Sequence, residues 1–496
     1  WPSLAPGTGT IAFERDFGIW TLDPATGRAA PVDISLRGAS PSPGTEHRTF
    51  TSDLDELALS PDGEKVAFVV RGEVFAASAE DGGYAERVTR TPAAELQAAW
   101  APDSRRLVYV SRRDDEPSLF MYDFESETEE RLTDGSAEAY APVFAPEGDE
   151  LAYIRDGREL RILDTGSGEE RTVAEGVLRA APWSVGGRLT WSPDGRWVAY
   201  VDQAGAFSNV RVAPADGSAD PRRVSFLANG FSGSLQWSPD GTSLFFNTSQ
   251  RTEDGRVARV DLVPRTPTFR EDRFRELFVE EVPEEEGAGG RRESTERTMS
   301  TGDPPGGQEA EADEYDGPVE VEFEGIRRRL ELLPVGLDAG RVLLSPDGES
   351  VVVGARAEGQ TNIYVYSIDP LADEPPVARQ LTSSPGGKSS LQFSPDGSEV
   401  WYLHRGEISV VDVESGETRQ LSVRAEMEID RDREKRAAFD QAWSALDDFF
   451  YDGDFHGADW RAVRDRFSPY AAGATTDGEF DRIVNLMVGE LNASHL

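Results

Sequence analysis

The stretch from Trp191 to Tyr200, WSPDGRWVAY, decides the fold. Ser192, Pro193, Asp194 and Gly195 predict a tight turn. Proline fixes φ, aspartate bonds back to the following backbone, and glycine accepts a positive φ. Trp197 to Val201 are apolar on both faces, which suits a strand buried on both sides. Leu189 to Trp191 lead into the turn. A further strand is expected around Val210 and Val212, then a polar turn from Pro214 to Asp220, then a short strand at Arg223 to Phe226. The unit therefore has four short strands.

The unit recurs. Its proline-acid turn stands at Pro61, Pro102, Pro146, Pro193, Pro239, Pro346 and Pro395, each followed by Asp or Glu, and most spacings fall between 41 and 49 residues. A period of that size with four strands per unit is the signature of a β-propeller blade. Seven copies predict seven blades. The long gap between Pro239 and Pro346 predicts one blade carrying an insertion. The expected fold is mainly β: a seven-bladed propeller of four-stranded blades, preceded by the remnant of another propeller blade and followed by a small α-helical segment.

Outward from the repeats, residues 1–37 read as the end of a preceding propeller, with Ile11 to Phe13 and Ile19 to Leu22 as strands of a half blade. The alternative is a strand that closes the ring of seven. Residues 38–53, with Pro41, Pro43 and Gly44, read as a linker. The seven blades occupy 54–423. Within them, 279–320 is rich in Glu, Gly and Pro, nearly lacks core residues and predicts a disordered acidic insertion. From about Ala425 the apolar period changes from two to roughly 3.6. Phe439, Trp443, Leu446 and Phe450 share one helix face. Asp459 caps a second helix with Trp460, Val463 and Phe467 on its apolar side. Thr476 and Glu479 have capping-box spacing before a third stripe, Phe480, Ile483, Val484, Met487, Val488 and Leu491. Residues 424–496 therefore read as a helical segment, and its abrupt end predicts a longer parent protein.

Composition sets further bounds. The 496 residues carry a net charge of −41, from 92 acidic and 51 basic side chains, and the basic ones are almost all Arg, with Lys only at 65, 388 and 435. Such a charge repels nucleic acid and anionic membrane, so neither is an expected partner. It reads as a solvated acidic surface, or as adaptation to high salt, where screening relieves self-repulsion. No apolar run is long enough to span a membrane. The chain opens on Trp1 without a signal peptide, and the missing Met predicts a cut N-terminus. The absence of cysteine excludes disulfides, thiolate metal sites and cysteine nucleophiles, but leaves the compartment open.

There are four histidines, His47, His404, His456 and His495. No pair has metal-ligand spacing on one helix, so no metal and no cofactor is expected. The repeated aspartates read as turn residues rather than metal ligands. No phosphate-binding loop, Gly-x-Ser-x-Gly elbow or dinucleotide fingerprint falls in a strand-turn-helix context. The sequons at Asn247 and Asn492 matter only in a glycosylating host. From the residues alone, His495, next to Ser494 after an apolar helix, reads as a structural histidine.

A resemblance changes that reading. Ser-Pro-Asp-Gly blades, a helical segment, and then Gly489-Glu490-Leu491-Asn492-Ala493-Ser494-His495 together resemble the tricorn protease family. Phe439, Trp443, Phe449 to Asp452, Phe455 to Gly457, Asp459 and Trp460 resemble the start of that family's catalytic half. The resemblance covers essentially the whole chain. It implies a six-bladed propeller ending at residues 1–37, a seven-bladed propeller, and a first catalytic subdomain from about residue 424, with a PDZ domain and an α/β subdomain downstream. The family's Ser-His pair falls on Ser494 and His495. His495 is then the general base for a nucleophilic serine, and Ser494 orients it or relays to it. That serine, a relay glutamate and the oxyanion donors are placed beyond Leu496.

The chemistry requires such a set. Serine is a weak nucleophile at its free pKa and needs a base within hydrogen-bond reach. Imidazole takes and returns a proton near neutral pH, and a third group fixes its tautomer. His456 is open to reading as a second base, but its Phe-His-Gly-x-Asp-Trp context favours a structural turn. The resemblance thus implies a serine peptidase acting on peptides, its propeller gating access, with residues 1–496 inactive alone. It also implies a homo-oligomer and a cytoplasmic location, with an exported or periplasmic one as the alternative. A partner-binding propeller of the Tol type is the competing reading, though it has no place for the Trp443 to His495 segment. A prolyl-oligopeptidase arrangement needs an elbow motif after the blades, and none precedes Leu496.

Overall fold

The computed structural model describes residues 2–15, 18–34, 44–113, 116–178, 187–204, 207–228, 231–250, 253–265, 318–369 and 376–493. The Trp191 turn forms as its residues dictate. Ser192 Oγ donates to Asp194 Oδ1 at 2.6 Å and accepts the Trp197 N–H at 2.9 Å. Gly195, at φ +68°, donates its N–H to the Ser192 carbonyl. The same serine-aspartate bond joins Ser60 to Asp62, Ser238 to Asp240, Ser345 to Asp347 and Ser394 to Asp396.

The unit around this turn is a four-stranded antiparallel sheet of Leu189–Trp191, Trp197–Ala204, Phe207–Pro214 and Arg222–Arg223. Val198, Ala199, Tyr200 and Val201 are each no more than 2% exposed, as a strand covered on both faces requires. Among the described residues seven such sheets follow one another. Their innermost strands are Leu54–Leu59, Glu95–Trp100, Ala139–Phe144, Leu189–Trp191, Phe231–Trp237, Asp338–Leu344 and Lys388–Phe393, here blades 1 to 7. The innermost strand of blade 7 lies against that of blade 1, so the row closes into a ring. Apolar clusters fill the gaps between neighbouring blades. Each fully buried Val, Leu or Phe there contributes about 1.5–3 kcal/mol.

Neighbouring blades also interlock through polar groups. Gln97 Oε1 accepts the Ala141 N–H of the next blade at 2.6 Å, Gln236 accepts that of Leu344, and Gln392 accepts that of Leu59 at 2.7 Å across the ring closure. The turns themselves stack. Pro395 lies 3.1 Å from where a Cβ on Gly63 would stand, and Pro239 and Pro346 lie 3.2 Å from the same points on Gly348 and Gly397. Each glycine therefore serves its own φ and leaves room for the neighbouring proline.

Glu56 occupies the same interlocking role with a charge. It is 8% exposed, and its Oε2 accepts the Gln97 N–H at 2.5 Å and that of Ala98 at 3.3 Å. Burial pushes its carboxyl up to about 7 against the pull of those two donors. A carboxyl with a raised pKa destabilises the fold once ionised, so the penalty is absent below the ordinary value near 4.5 and grows as pH rises through about 7. Glu56→Gln keeps the acceptor and removes the charge. It should stabilise the protein by about 1–3 kcal/mol at pH 8 and change little at pH 4.5, as read from denaturant midpoints at the two pH values. Equal effects at both would remove the electrostatic account.

The domain's two ends are clasped together. Val423–Asp430 leaves blade 7 and pairs in parallel with the outermost strand of blade 1, Gly82–Arg87. On its other side it pairs antiparallel with Thr45–Phe50. Blade 1 thereby becomes a six-stranded sheet. The helical period expected from about Ala425 thus begins later, at Arg431. Residues 423–430 alternate buried and exposed, as a strand half covered must. The span 38–53, read as a linker, contains the clasping strand Thr45–Phe50.

Three other readings need adjustment. The half blade expected around 9–31 is a four-stranded sheet of Ser3–Leu4, Ile11–Arg15, Gly18–Asp23 and Arg28–Pro31. The acidic insertion 279–320 lies mostly outside the described residues, but Val319 at its end is 5% exposed. Val319 covers the Gly241 turn, donates its N–H to Asp194 Oδ2 at 2.8 Å and accepts the Trp197 indole N–H at 3.2 Å. Finally, Asn247 of the first sequon is buried, with its amide donating to the Gly340 carbonyl at 2.7 Å, so it is closed to glycosylation.

Candidate active-site segment

Three helices follow the clasp: α1 Arg431–Phe449, α2 Trp460–Gly473 and α3 Asp477–Gly489. Asp430 caps α1 by accepting the Asp432 and Arg433 N–H groups, and Asp459 caps α2 through the Ala462 N–H. Thr476 caps α3 through the Glu479 N–H at 3.2 Å. Glu479 reaches back one residue further than a capping box would, accepting the Thr475 N–H at 2.7 Å and hydroxyl at 2.6 Å. The apolar faces read from the sequence meet in one core. Phe439, Trp443, Trp460, Val463, Phe467, Ile483, Met487 and Leu491 are buried in it, with Leu446, Phe450, Phe480, Val484 and Val488 packed around them. Trp443 and Trp460 lie stacked, and each indole N–H donates to the other's carbonyl, at 2.9 and 3.4 Å.

This core rests on the propeller through α1. Arg431 bonds Glu46 of the clasping strand at 2.6 Å, Arg71 of blade 1 pairs with Glu434, and Arg112 of blade 2 donates to Ser444 Oγ at 3.2 Å. Near α1, Glu138 of blade 3 has its carboxyl pushed up to about 7, chiefly by burial and then by the charge of Asp448.

The α1–α2 connection is an aromatic turn. Phe450, Phe455 and Trp460 stack in sequence, at 5.9 and 5.6 Å between centroids. Phe455, His456 and Gly457 all take positive φ, of 49°, 54° and 83°. For a non-glycine residue that conformation costs about 1–2 kcal/mol, and here the turn is held from several sides. Asp452 Oδ2 accepts the His456 N–H at 3.0 Å and Oδ1 accepts that of Asp454 at 3.2 Å, which keep its carboxyl below the usual carboxylate range. His456 Nδ1 meets the Leu491 carbonyl at 2.8 Å, and Nε2 meets the Tyr451 hydroxyl at 2.5 Å. A carbonyl only accepts, so Nδ1 carries the proton. Nε2 is left to face the Tyr451 hydroxyl, with Asp452 Oδ2 at 3.7 Å beside it. With both nitrogens engaged inside the protein, His456 is arranged as a brace, which supports the structural reading over the second base.

Leu491 lies at the foot of the segment that carries the candidate pair. Its side chain is fully buried, its N–H bonds the Val488 carbonyl, and Glu490 beside it pairs with Arg466 of α2 at 2.7 Å. Asn492 turns the chain at φ +46°. Ser494 and His495 themselves lie outside the described residues. The sequence reading placed His456 in a turn but missed its reach to Leu491. The two are 35 residues apart, and no local pattern records the contact.

Among the described residues, no group of three or more His, Cys, Asp and Glu is placed to hold a metal. No described helix is long and apolar enough to cross a membrane.

Comparison with known proteins follows the same division. Residues 431–489, the span of the three helices, match the tricorn protease C1 domain, and 55–189 match the TolB β-propeller domain. Tricorn protease homolog 2 of Streptomyces coelicolor is 29% identical over 195 residues, covering 36% of this chain and 16% of that protein. The crystal structure of the tricorn protease aligns with 98% of this chain at a TM-score of 0.68 and 14% identity. The alignment covers 45% of that protein, so the chain spans less than half its length. A TolB structure from Acinetobacter baumannii aligns at 0.36 and 13% identity, over 86% of this chain and 81% of that one, too loosely to bear on the choice. In fold along nearly its whole length, and in the sequence of its helical segment, the chain is tricorn-like.

Proposed function

We propose that the parent protein is a serine peptidase that cleaves peptides. In this reading the ring of seven blades governs access, and His495 is the general base, oriented by Ser494. The observation that carries the reading is the match of 431–489 to the C1 domain, running directly into Glu490-Leu491-Asn492-Ala493-Ser494-His495. The propeller alone does not decide, since its first blades match a TolB domain as well. The three-helix core is what a partner-binding propeller has no use for. Residues 1–496 supply the base side of the relay, and the nucleophilic serine and relay glutamate come from elsewhere in the parent protein. Its substrates are unfolded or short peptides, and it acts as a homo-oligomer in the cytoplasm.

The test is a fluorophosphonate probe on the full-length protein, followed by mapping of the adduct. The reading predicts one labelled serine outside residues 1–496, protected by peptide substrate. An absence of both labelling and peptide hydrolysis would favour the binding propeller.

A further inference from the structure

We propose that His456 is a positioning residue for the peptidase relay: it holds the Leu491 carbonyl, three residues before Ser494 in the sequence. The inference rests on the peptidase reading above and adds to it a residue that makes no contact with the reacting atoms.

Three observations carry it. The last carbonyls of a helix have no partner within the helix, and the Leu491 carbonyl, just past the end of α3, is met by His456 Nδ1 from a different connection at 2.8 Å. The imidazole is fixed in turn. Tyr451 occupies Nε2, Asp452 holds the His456 N–H, and Phe450 packs its ring edge-to-face at 5.3 Å. The backbone beneath it runs through three consecutive left-handed residues, a conformation that persists only where the surroundings over-determine it. A plain cap for α3 needs none of this second layer. A brace for the chain entering a catalytic pair does, because misplacing a catalytic group by about 1 Å costs about 100-fold in rate.

The geometry separates the brace from a general packing role. Asparagine tolerates left-handed φ, and its Nδ2 stands where His456 Nδ1 stands. Glutamine reaches toward Tyr451 but leaves the Nδ1 position empty. Peptide hydrolysis is measured for full-length His456→Asn, His456→Gln and His456→Ala, with His495→Ala as reference. For Ala and Gln, kcat should fall about 100-fold with KM within about twofold, and Asn should stay within about threefold of wild type. If His456→Ala fails to fold, the Asn and Gln pair carries the same comparison. The proposal is overturned if Gln and Asn are equally impaired, if the loss appears in KM, or if kcat is unchanged. If His495→Ala itself retains full activity, the peptidase reading fails first and this one with it. A dead His495→Ala beside fully active His456 variants rejects the brace alone.

Discussion

Lys388→Met should lower the stability of the protein by about 3–5 kcal/mol, the scale expected when several buried acceptors lose one shared donor. Lys388 opens the innermost strand of blade 7 and is only 9% exposed. Its ammonium donates to the Thr361 carbonyl at 2.9 Å, Asn362 Oδ1 at 2.8 Å, the Gly386 carbonyl at 3.2 Å and the Ser384 carbonyl. Burial lowers its pKa, and the nearby charge of Arg405 adds to that. The four oxygens belong to blade 6 and to the loop entering blade 7, so one side chain ties the two together. Methionine preserves the length of the stem and strands the acceptors, each of which costs about 1–3 kcal/mol when buried without a donor. Arginine is no equivalent, since a planar fork does not fit a site built around a compact point charge. Denaturant unfolding followed by circular dichroism measures the effect. A change below about 0.5 kcal/mol, the ordinary range of a surface substitution, would show that the site is not closed to water.

The propeller was legible because its signal is local and repeated. Proline, aspartate and glycine each have a backbone reason to stand in the Trp191 turn, and the strand after it is apolar on both faces in blade after blade. The helical core was legible for the same reason: Phe439 to Leu491 show their faces at helical spacing, and those faces are the ones buried together. What escaped is what depends on a distant partner. Val423, Ala425, Met427 and Ile429 already alternate, but the Arg, Glu and Met among them favour helix in isolation. Pairing with Thr45–Phe50, nearly 400 residues earlier, decides for strand. The stacking of proline on the next blade's glycine is likewise invisible one turn at a time.

The candidate site divides in the same way. Ser494 and His495 entered through likeness to a family, and nothing in their spacing alone marks them. His456 showed only its turn context. Lysine usage held a signal that went unread. In a chain whose cations are almost all Arg, the three Lys sit where a compact ammonium is bound at a defined place: Lys65 on Asp62, Lys435 on the Ala474 carbonyl, and Lys388 among four oxygens.

His495→Ala in the full-length protein should reduce kcat/KM for fluorogenic peptides by about 10,000-fold or more, because a serine deprived of its base loses most of its nucleophilicity at neutral pH. The fold should survive. The three-helix core is closed by Leu491, which is held by its own buried side chain and by His456. Binding should survive too, so a non-hydrolysable peptide should retain its affinity while turnover disappears. This measurement tests the central claim most directly. Loss of turnover by several orders of magnitude, with an unchanged circular dichroism spectrum and unchanged peptide affinity, is the predicted result. Hydrolysis at the wild-type rate would contradict it and return His495 to the status of a structural histidine.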